Sequence, residues 1–127
     1  MAISYKIEGN LLYFYFEGAT DTPEILEAFE SAFRDPALGK ECLLLVDVSG
    51  STSLQDRSSA SIRMLAENIA RWADRVSGKL AVVVGKPVQY GIMRMASVYA
   101  SSFGLDIRPF ETKEEALRWL GLPPDSL

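Results

Sequence analysis

Near the start of the chain, apolar and polar residues alternate with the period of a β-strand. Residues 3–8 and 11–17 both have strand composition, and Gly9-Asn10 between them is a two-residue hairpin signal. In the second strand one face is wholly apolar and the other carries a leucine and two tyrosines: Leu12, Phe14 and Phe16 against Leu11, Tyr13 and Tyr15. The pattern predicts an antiparallel hairpin that packs on its apolar face.

Four later segments carry apolar residues at helical spacing. The predicted helices cover residues 22–33, 54–76, 87–103 and 113–120. Thr22 and Pro23 supply a cap and a first-turn proline for the first of them. We expect the second to begin near Ser53, which opens an S-x-x-D capping pattern, with Asp56 as the alternative cap.

The third predicted helix follows Gly85-Lys86-Pro87, where the proline favours a helix start. Its expected core stripe consists of Val88, Ile92, Met95, Ala96, Tyr99 and Phe103. Met93 lies off this stripe, and we regard it as a candidate for lining an adaptable apolar pocket.

Three short apolar segments, at 42–48, 80–84 and 106–110, separate the helices. The first two are apolar on both faces, as interior parallel strands are, and Pro109 places the third at a sheet edge. Right-handed crossovers through the helices should make the last four strands parallel. The sequence therefore predicts one α/β domain over residues 1–127, ordered β-β-α-β-α-β-α-β-α. Its five-stranded sheet is mixed and mostly parallel, and the antiparallel hairpin lies at one edge.

Composition narrows the range of functions. The chain has 127 residues, a net charge of −4, no histidine and one cysteine. The acidic balance argues against a nucleic-acid partner, which needs a concentrated basic face. The lack of histidine removes the usual general base and the commonest transition-metal ligand, and Cys42 in an apolar run predicts a buried thiol. We predict no cofactor and no metal site.

The sequence shows neither a candidate membrane span nor a recognisable secretion signal. No apolar segment approaches the roughly 18 residues of a membrane span, so we predict no membrane span. The N-terminus lacks the basic and apolar regions of a secretion signal. We expect a soluble cytoplasmic protein.

The loop after the central strand concentrates polar residues. Four of its side chains carry hydroxyl groups: Ser49, Ser51, Thr52 and Ser53. Arg57 follows them, and Lys86 comes after the neighbouring strand, so both cations should reach the same edge of the sheet. Because α/β domains commonly bind ligands at this edge, beside helix N-termini, the set predicts a site for an anion or polar ligand. In the second interpretation these residues are only caps and turn formers.

Asp47 and Asp56 are the carboxylates nearest to this loop. No sequence spacing pairs them for acid–base catalysis, and Asp47 at a strand end is also suited to capping backbone groups. The residues offer no nucleophile with an adjacent base, so we predict that the protein is not an enzyme.

The element order, with LLLVDVSGSTSLQDRSSASI at its centre, resembles the STAS superfamily and in particular its SpoIIAA-like branch. The closing segment RPFETKEEALRWLG is similar to the end of that branch, where a short strand precedes a capped helix with an A-L-x-W-L core. The resemblance covers nearly the whole chain in element order and is specific in these two segments. It implies a superhelical β/α fold shared with CRAL-TRIO lipid-binding domains, and no enzymatic activity.

In bacterial anti-sigma factor antagonists of this branch, a partner kinase phosphorylates the first serine of a D-S-S motif in the loop. Asp47-Val48-Ser49 matches the D-x-S that precedes this motif, and Asp56-Arg57-Ser58 matches D-S-S if the loop has one extra residue. The resemblance then places Arg57 at the phosphoacceptor position and Ser58 at the following serine. Because arginine cannot accept the phosphate, we expect the phosphorylation switch to be missing.

Two functional hypotheses follow. The first is a non-enzymatic STAS-like regulatory or protein-interaction module that uses the loop and the helix start after the central strand, with Lys86 nearby. The alternative is a carrier of a small apolar or lipid-like ligand, in the manner of CRAL-TRIO domains, because aromatic and Met side chains surround the hairpin and the third helix. We also expect a homodimer, since apolar residues on a sheet face without helices need cover.

Overall fold

A computed structural model describes residues 2–127 of the chain. Within them, five strands and four α-helices follow one another in the predicted order. The strands are β1 (Ile3–Glu8), β2 (Leu11–Gly18), β3 (Leu43–Ser51), β4 (Lys79–Val83) and β5 (Asp106–Phe110). The helices are α1 (Thr22–Phe33), α2 (Ser59–Ala70), α3 (Pro87–Ser101) and α4 (Lys113–Trp119). Short 3₁₀ turns at Leu54–Asp56 and Ala73–Val76 lie on either side of α2.

The strands form one mixed sheet whose spatial order is the chain order, β1-β2-β3-β4-β5. β1 and β2 pair antiparallel, and each later neighbouring pair is parallel. Gly9 permits the tight hairpin turn because its φ of +61° lies in the left-handed region. Pro109 lies in β5 at the edge of the sheet, where a missing N–H is tolerated. The predicted fold class, hairpin and parallel strands are confirmed.

Helices cover the two faces of the sheet unequally. α1, α2 and α3 pack on one face, called the front, and α4 packs on the opposite face, called the back. Crossovers of one hand between successive neighbouring strands put every connecting helix on the same side, which accounts for the three front helices. Alternation in β2 follows the prediction: Leu12 and Phe14 lie in the front core, and Leu11 lies in the back core.

α4 gives the back face an apolar cover of its own. Ala116 and Leu117 of α4 are fully buried against Leu45 and Ala81 of the sheet. Toward β1, the back face instead exposes polar side chains: Ser4, Lys6 and Glu8. The chain therefore covers much of the surface for which a second copy was expected, and the homodimer stays a prediction.

Two helix starts differ from the prediction. Asp21 rather than Thr22 caps α1, because its carboxylate accepts the Glu24 N–H at 2.9 Å while Glu24 accepts the Asp21 N–H at 3.3 Å. The expected start of the second helix near Ser53 is wrong. The chain makes a 3₁₀ turn there, and α2 begins at Ser59 with Ser58 as its cap. Asp56 is not the cap either, since it ends the 3₁₀ turn.

α3 is rotated relative to its predicted core stripe. Val88 and Phe103 were expected in the core but are 48% and 51% exposed. Gln89 is fully buried instead, together with Ala96 and Ala100. The physical reason is that the Gln89 amide finds hydrogen-bond partners at the strand ends, so a polar residue turns inward.

Candidate functional site

The candidate residues at the end of β3 and in the chain that follows it lie on two sides of the sheet. Val48 belongs to the front core, so its neighbours Asp47 and Ser49 point to the back. Beyond Ser51 the chain turns to the front, where it contacts the β2–α1 connection. We call residues 51–58 the front loop, and Asp47, Ser49 and Tyr13 the back cluster.

Arg57 ties the front loop to the β2–α1 connection. Its guanidinium donates to the Thr20 carbonyl at 2.7 Å, to the Thr22 hydroxyl at 2.8 Å and to the Ser61 hydroxyl at 3.3 Å. Burial lowers the pKa of Arg57 from its ordinary value, with the charge of Asp21 acting in the opposite direction. The side chain expected to attract an anion therefore uses three of its five N–H donors within the chain.

Ser51 and Ser53 are held in the same way. The Ser53 hydroxyl accepts the Thr20 N–H at 3.0 Å and donates to the Thr20 carbonyl at 3.3 Å. Ser51 is buried, and its carbonyl accepts from Gln89 at 3.3 Å. These two serines act as turn and bridge residues, which agrees with the second interpretation of the sequence.

The outward side of the front loop is exposed. Thr52, Asp56 and Ser58 are all exposed, as are Gln55 and Ser59 beside them. The Ser58 hydroxyl accepts the Ser61 N–H at 3.1 Å as the N-cap of α2. Ser58, at the position after the aligned phosphoacceptor, thus has a structural role at the start of this helix.

The back cluster is built around the buried carboxylate of Asp47. Its Oδ1 accepts the Ser49 N–H at 2.9 Å and the Ser49 hydroxyl at 2.6 Å, and its Oδ2 accepts the Tyr13 hydroxyl at 3.4 Å. The amines of Lys6 and Lys113 lie 5.9 and 5.5 Å from the centre of the Tyr13 ring. Because it accepts the backbone N–H and the hydroxyl of Ser49, the Asp47 carboxylate holds the end of β3 in place.

Tyr13 shows the strongest electrostatic effect of this cluster. Burial, then the charge of Asp47 and the hydrogen bond to it, and then Tyr15 raise the pKa of Tyr13 to about 12. Each effect disfavours a second negative charge beside the carboxylate. Tyr13 is therefore a neutral hydrogen-bond donor at physiological pH.

Gln89 joins the ends of β3 and β4. Its Oε1 accepts the N–H groups of Gly85 and Lys86 at 2.8 and 3.2 Å, and its Nε2 donates to the carbonyls of Val48 and Ser51 at 3.0 and 3.3 Å. An internal amide oxygen thus occupies the place at the start of α3 where an anion would accept hydrogen bonds.

Lys86 lies at the same edge of the sheet as the front loop, but within residues 2–127 its side chain forms no ion pair. Its side chain is exposed at the N-cap of α3, beside a cleft of about 530 Å³ that Tyr90 and Glu111 also line. Close approach of the two strand ends favours Gly85, since a Cβ there would lie 3.1 Å from Ser49 Cβ. Arg57 lines a different cavity from Lys86, so the structure does not support the single positive spot that the sequence predicted.

A small apolar cavity of about 80 Å³ lies beneath the front loop. Its walls include Phe29, Val46 and Met93, and Arg57 and Thr20 lie at its loop end. An engineered cavity of about 150 Å³ holds a single benzene molecule, so this cavity is too small for a lipid chain. Met93 lines it, as expected, whereas Met64 is 43% exposed on α2.

Sequence reasoning missed three residues of this region: Thr20, Tyr13 and Gln89. Tyr13 carried a signal, because β2 lies beside β3 and a tyrosine on the Asp47 face can reach the carboxylate. Gln89 carried no such sequence signal, since a single glutamine in an amphipathic segment ordinarily lies on the solvent-exposed face. Thr20 contributes through its backbone groups, which side-chain patterns do not reveal.

Residues 2–127 contain no group of three or more His, Cys, Asp or Glu side chains arranged to hold a metal ion. Across that same range, every helix is too short or too polar to cross a membrane.

No protein-family model matches the chain, and no curated protein matches it. Among solved structures, it is similar to the crystal structure of an uncharacterized protein of the DUF3478 family with a SpoIIAA-like fold, from Shewanella loihica PV-4. The match covers 94% of this chain and 92% of that chain, with a TM-score of 0.59 and 19% sequence identity. This likeness confirms the SpoIIAA-like fold that the resemblance implied.

Proposed function

We propose that the chain is a non-enzymatic regulatory module that binds a partner protein through the outward side of the front loop and the start of α2. The observation that carries the proposal is the contrast between the two sides of this loop. Arg57 and Ser53 use their polar groups inside the chain, while Thr52, Asp56 and Ser59 face outward. A loop already held by hydrogen bonds to the rest of its own chain loses little conformational entropy when a partner binds.

α2 continues this surface with an apolar anchor. Ala60 and Met64 are exposed one turn apart, and Arg63 lies beside them. Methionine and arginine are enriched in the centres of protein interfaces, whereas a polar rim is typical of their edges. The polar front loop beside Met64 has this composition.

The non-enzymatic part of the proposal is supported by how the polar groups are used. Asp47 already accepts from Ser49 and Tyr13, and Arg57 already donates to three acceptors. The chain contains no histidine that would activate a hydroxyl nucleophile. The cavity of about 80 Å³ does not favour the alternative of a lipid carrier.

Affinity capture from an extract of the source cells, with site variants, tests the proposal. Asp56→Lys and Met64→Glu change exposed side chains of the surface, and Arg34→Glu changes the exposed C-cap residue of α1 as the control. We expect a protein that wild type and Arg34→Glu retain and that both surface variants lose. If no retained protein depends on Asp56 or Met64, the proposed surface is wrong.

A further inference from the structure

α3 carries a second apolar stripe on its outward side. Val88, Gly91, Met95 and Val98 are spaced by three, four and three residues, which is the a/d pattern of helices that pair in coiled coils. Val98 is 69% exposed and Val88 is 48% exposed, while Met95 is half-buried against the front core; Ala96 and Ala100 on the inward side are buried. We call these four residues the outward stripe.

The position of α3 leaves this stripe open. α3 packs against α2 and over β5, which is the edge strand of the sheet. A Cβ built on Gly91 would meet no atom within 4 Å, so the middle of the stripe is open space that a partner side chain can enter.

The charge along α3 is one-sided. Arg94 is exposed and neighbours Gly91 and Val98 at helical spacing, and Lys86 stands at the N-cap. α3 contains no acidic residue, although the whole chain has a net charge of −4. Neither Arg94 nor Lys86 takes part in an ion pair within residues 2–127.

From this arrangement we infer that the outward stripe is a docking surface for an amphipathic helix of a partner protein whose apolar seam is flanked by acidic residues. The partner's apolar side chains pack on Val88 and Val98, beside the half-buried Met95, and its carboxylates face Arg94. This surface lies on a different helix from the one proposed above, so either proposal can fail without the other.

Charge argues against a second copy as the occupant. A symmetric pairing of two α3 helices, parallel or antiparallel about the centre of the stripe, brings Arg94 near its own copy. Because α3 has no acidic residue to neutralise the pair, like charges oppose this assembly.

A membrane surface is a poor match as well. Interfacial helices present a broad face with bulky Trp, Phe or Leu side chains and several basic residues. The outward stripe is narrow, includes a glycine, and has Arg94 and Lys86 as its nearby cations. A single helix seam fits this shape better than a lipid bilayer.

Two designed peptides of three heptads test the inference. Both carry Leu at a and d; one has Glu and the other Lys at e and g, and fluorescence anisotropy measures binding to each. We expect wild type to bind the Glu peptide about tenfold more tightly than the Lys peptide. Arg94→Glu should abolish or reverse this preference, and Val98→Asp should weaken binding of the Glu peptide about tenfold.

Arg34→Glu, at the C-cap of α1, is the matched control and should bind like wild type. Thermal melts check that the variants are folded, which the exposure of Arg94 and Val98 leads us to expect. Equal affinity for the two peptides, or binding to neither, would overturn the inference.

Two further outcomes would reassign the stripe. A wild-type dimer in sedimentation that Val98→Asp makes monomeric would assign it to a second copy of the chain. Binding to vesicles of equal parts phosphatidylcholine and phosphatidylserine, lost in Val98→Asp, would assign it to a membrane. Either result would refute the helical partner proposed here.

Discussion

The front loop and the back cluster come from one short stretch of sequence, yet they differ in how they are held. Arg57 and Ser53 hold the front loop by reaching back to Thr20, more than 30 residues earlier in the chain. Asp47 holds the back cluster mainly through Ser49, two residues away. The long-range ties join separate elements, so their loss should destabilise the fold more than changes in the back cluster.

The largest effect is expected at Gln89, which anchors the front loop to α3. Gln89→Leu keeps the volume but leaves two N–H groups and two carbonyls at the strand ends without their amide partner. We expect the free energy of unfolding to fall by about 3 kcal/mol in urea titrations. Gln55→Leu, at an exposed glutamine, should change it by less than about 0.5 kcal/mol. Equal stability of the two variants would contradict the role of Gln89.

Removing the Arg57 tie should have the next largest effect. Arg57→Ala deletes the donors to Thr20, Thr22 and Ser61, and we expect a loss of about 2 kcal/mol, with faster hydrogen exchange in the front loop. Arg63→Ala is the control, because Arg63 forms an exposed ion pair with Glu67 that is worth about 0.3 kcal/mol. Similar losses in both variants would show that Arg57 is not the tie.

The cap of α2 should contribute less. Ser58→Ala removes the hydroxyl that accepts the Ser61 N–H, and we expect urea titrations to show a loss of about 1 kcal/mol. Ser59→Ala changes the first helical residue and should leave stability unchanged or slightly raised. If Ser59→Ala were the more damaging change, Ser59 would be the cap and the helix would begin one residue later than the structure has it.

The back cluster should have the smallest effect of these sites, and its contribution should be present at neutral pH and lost in alkali. Because the pKa of Tyr13 is raised to about 12 from its ordinary value of 10.0, Tyr13 stabilises the fold below about pH 10. This contribution should disappear as the pH rises from 10 to 12, and Tyr13→Phe should remove that part of the pH dependence. Urea midpoints measured across this range, as wild type minus variant, check the sign.

Asp47→Asn tests how much of the raised Tyr13 pKa comes from the charge of Asp47. It removes the charge and changes the hydrogen bond while leaving the burial of Tyr13, so the pKa of Tyr13 should fall but stay above its ordinary value. Ultraviolet titration of the tyrosinates at high pH measures this change. An unchanged titration in Asp47→Asn would separate Tyr13 from Asp47.

Most of the fold could be predicted because its elements have strong and simple periods. Alternation in β2 and the doubly apolar β3 and β4 identified the strands and their faces before any contact was known. The predicted helix start near Ser53 was wrong, because a serine followed three residues later by an aspartate is compatible with a 3₁₀ turn as well as with a helix cap. The Ser53 hydroxyl found its partner in Thr20, beyond the reach of a local rule.

The sequence singled out several residues that make polar contacts at the end of β3, but it did not predict how they are arranged. Asp47, Ser49, Ser53 and Arg57 do carry the polar contacts at the end of β3. The pleat of β3, together with the turn that follows, sends the first two to the back and the others to the front.

By itself, the sequence determined the element order, the sheet with its antiparallel edge and the apolar faces that build both cores, since these depend on local period. Only the tertiary structure decided which side chains are exposed and available to bind another molecule. Arg57 and Gln89 are committed inside the chain, whereas Arg94 and Val98 remain outside. A side chain's remaining capacity to bind is set by neighbours that are distant in sequence, because hydrogen-bond partners and burial arise when the elements pack.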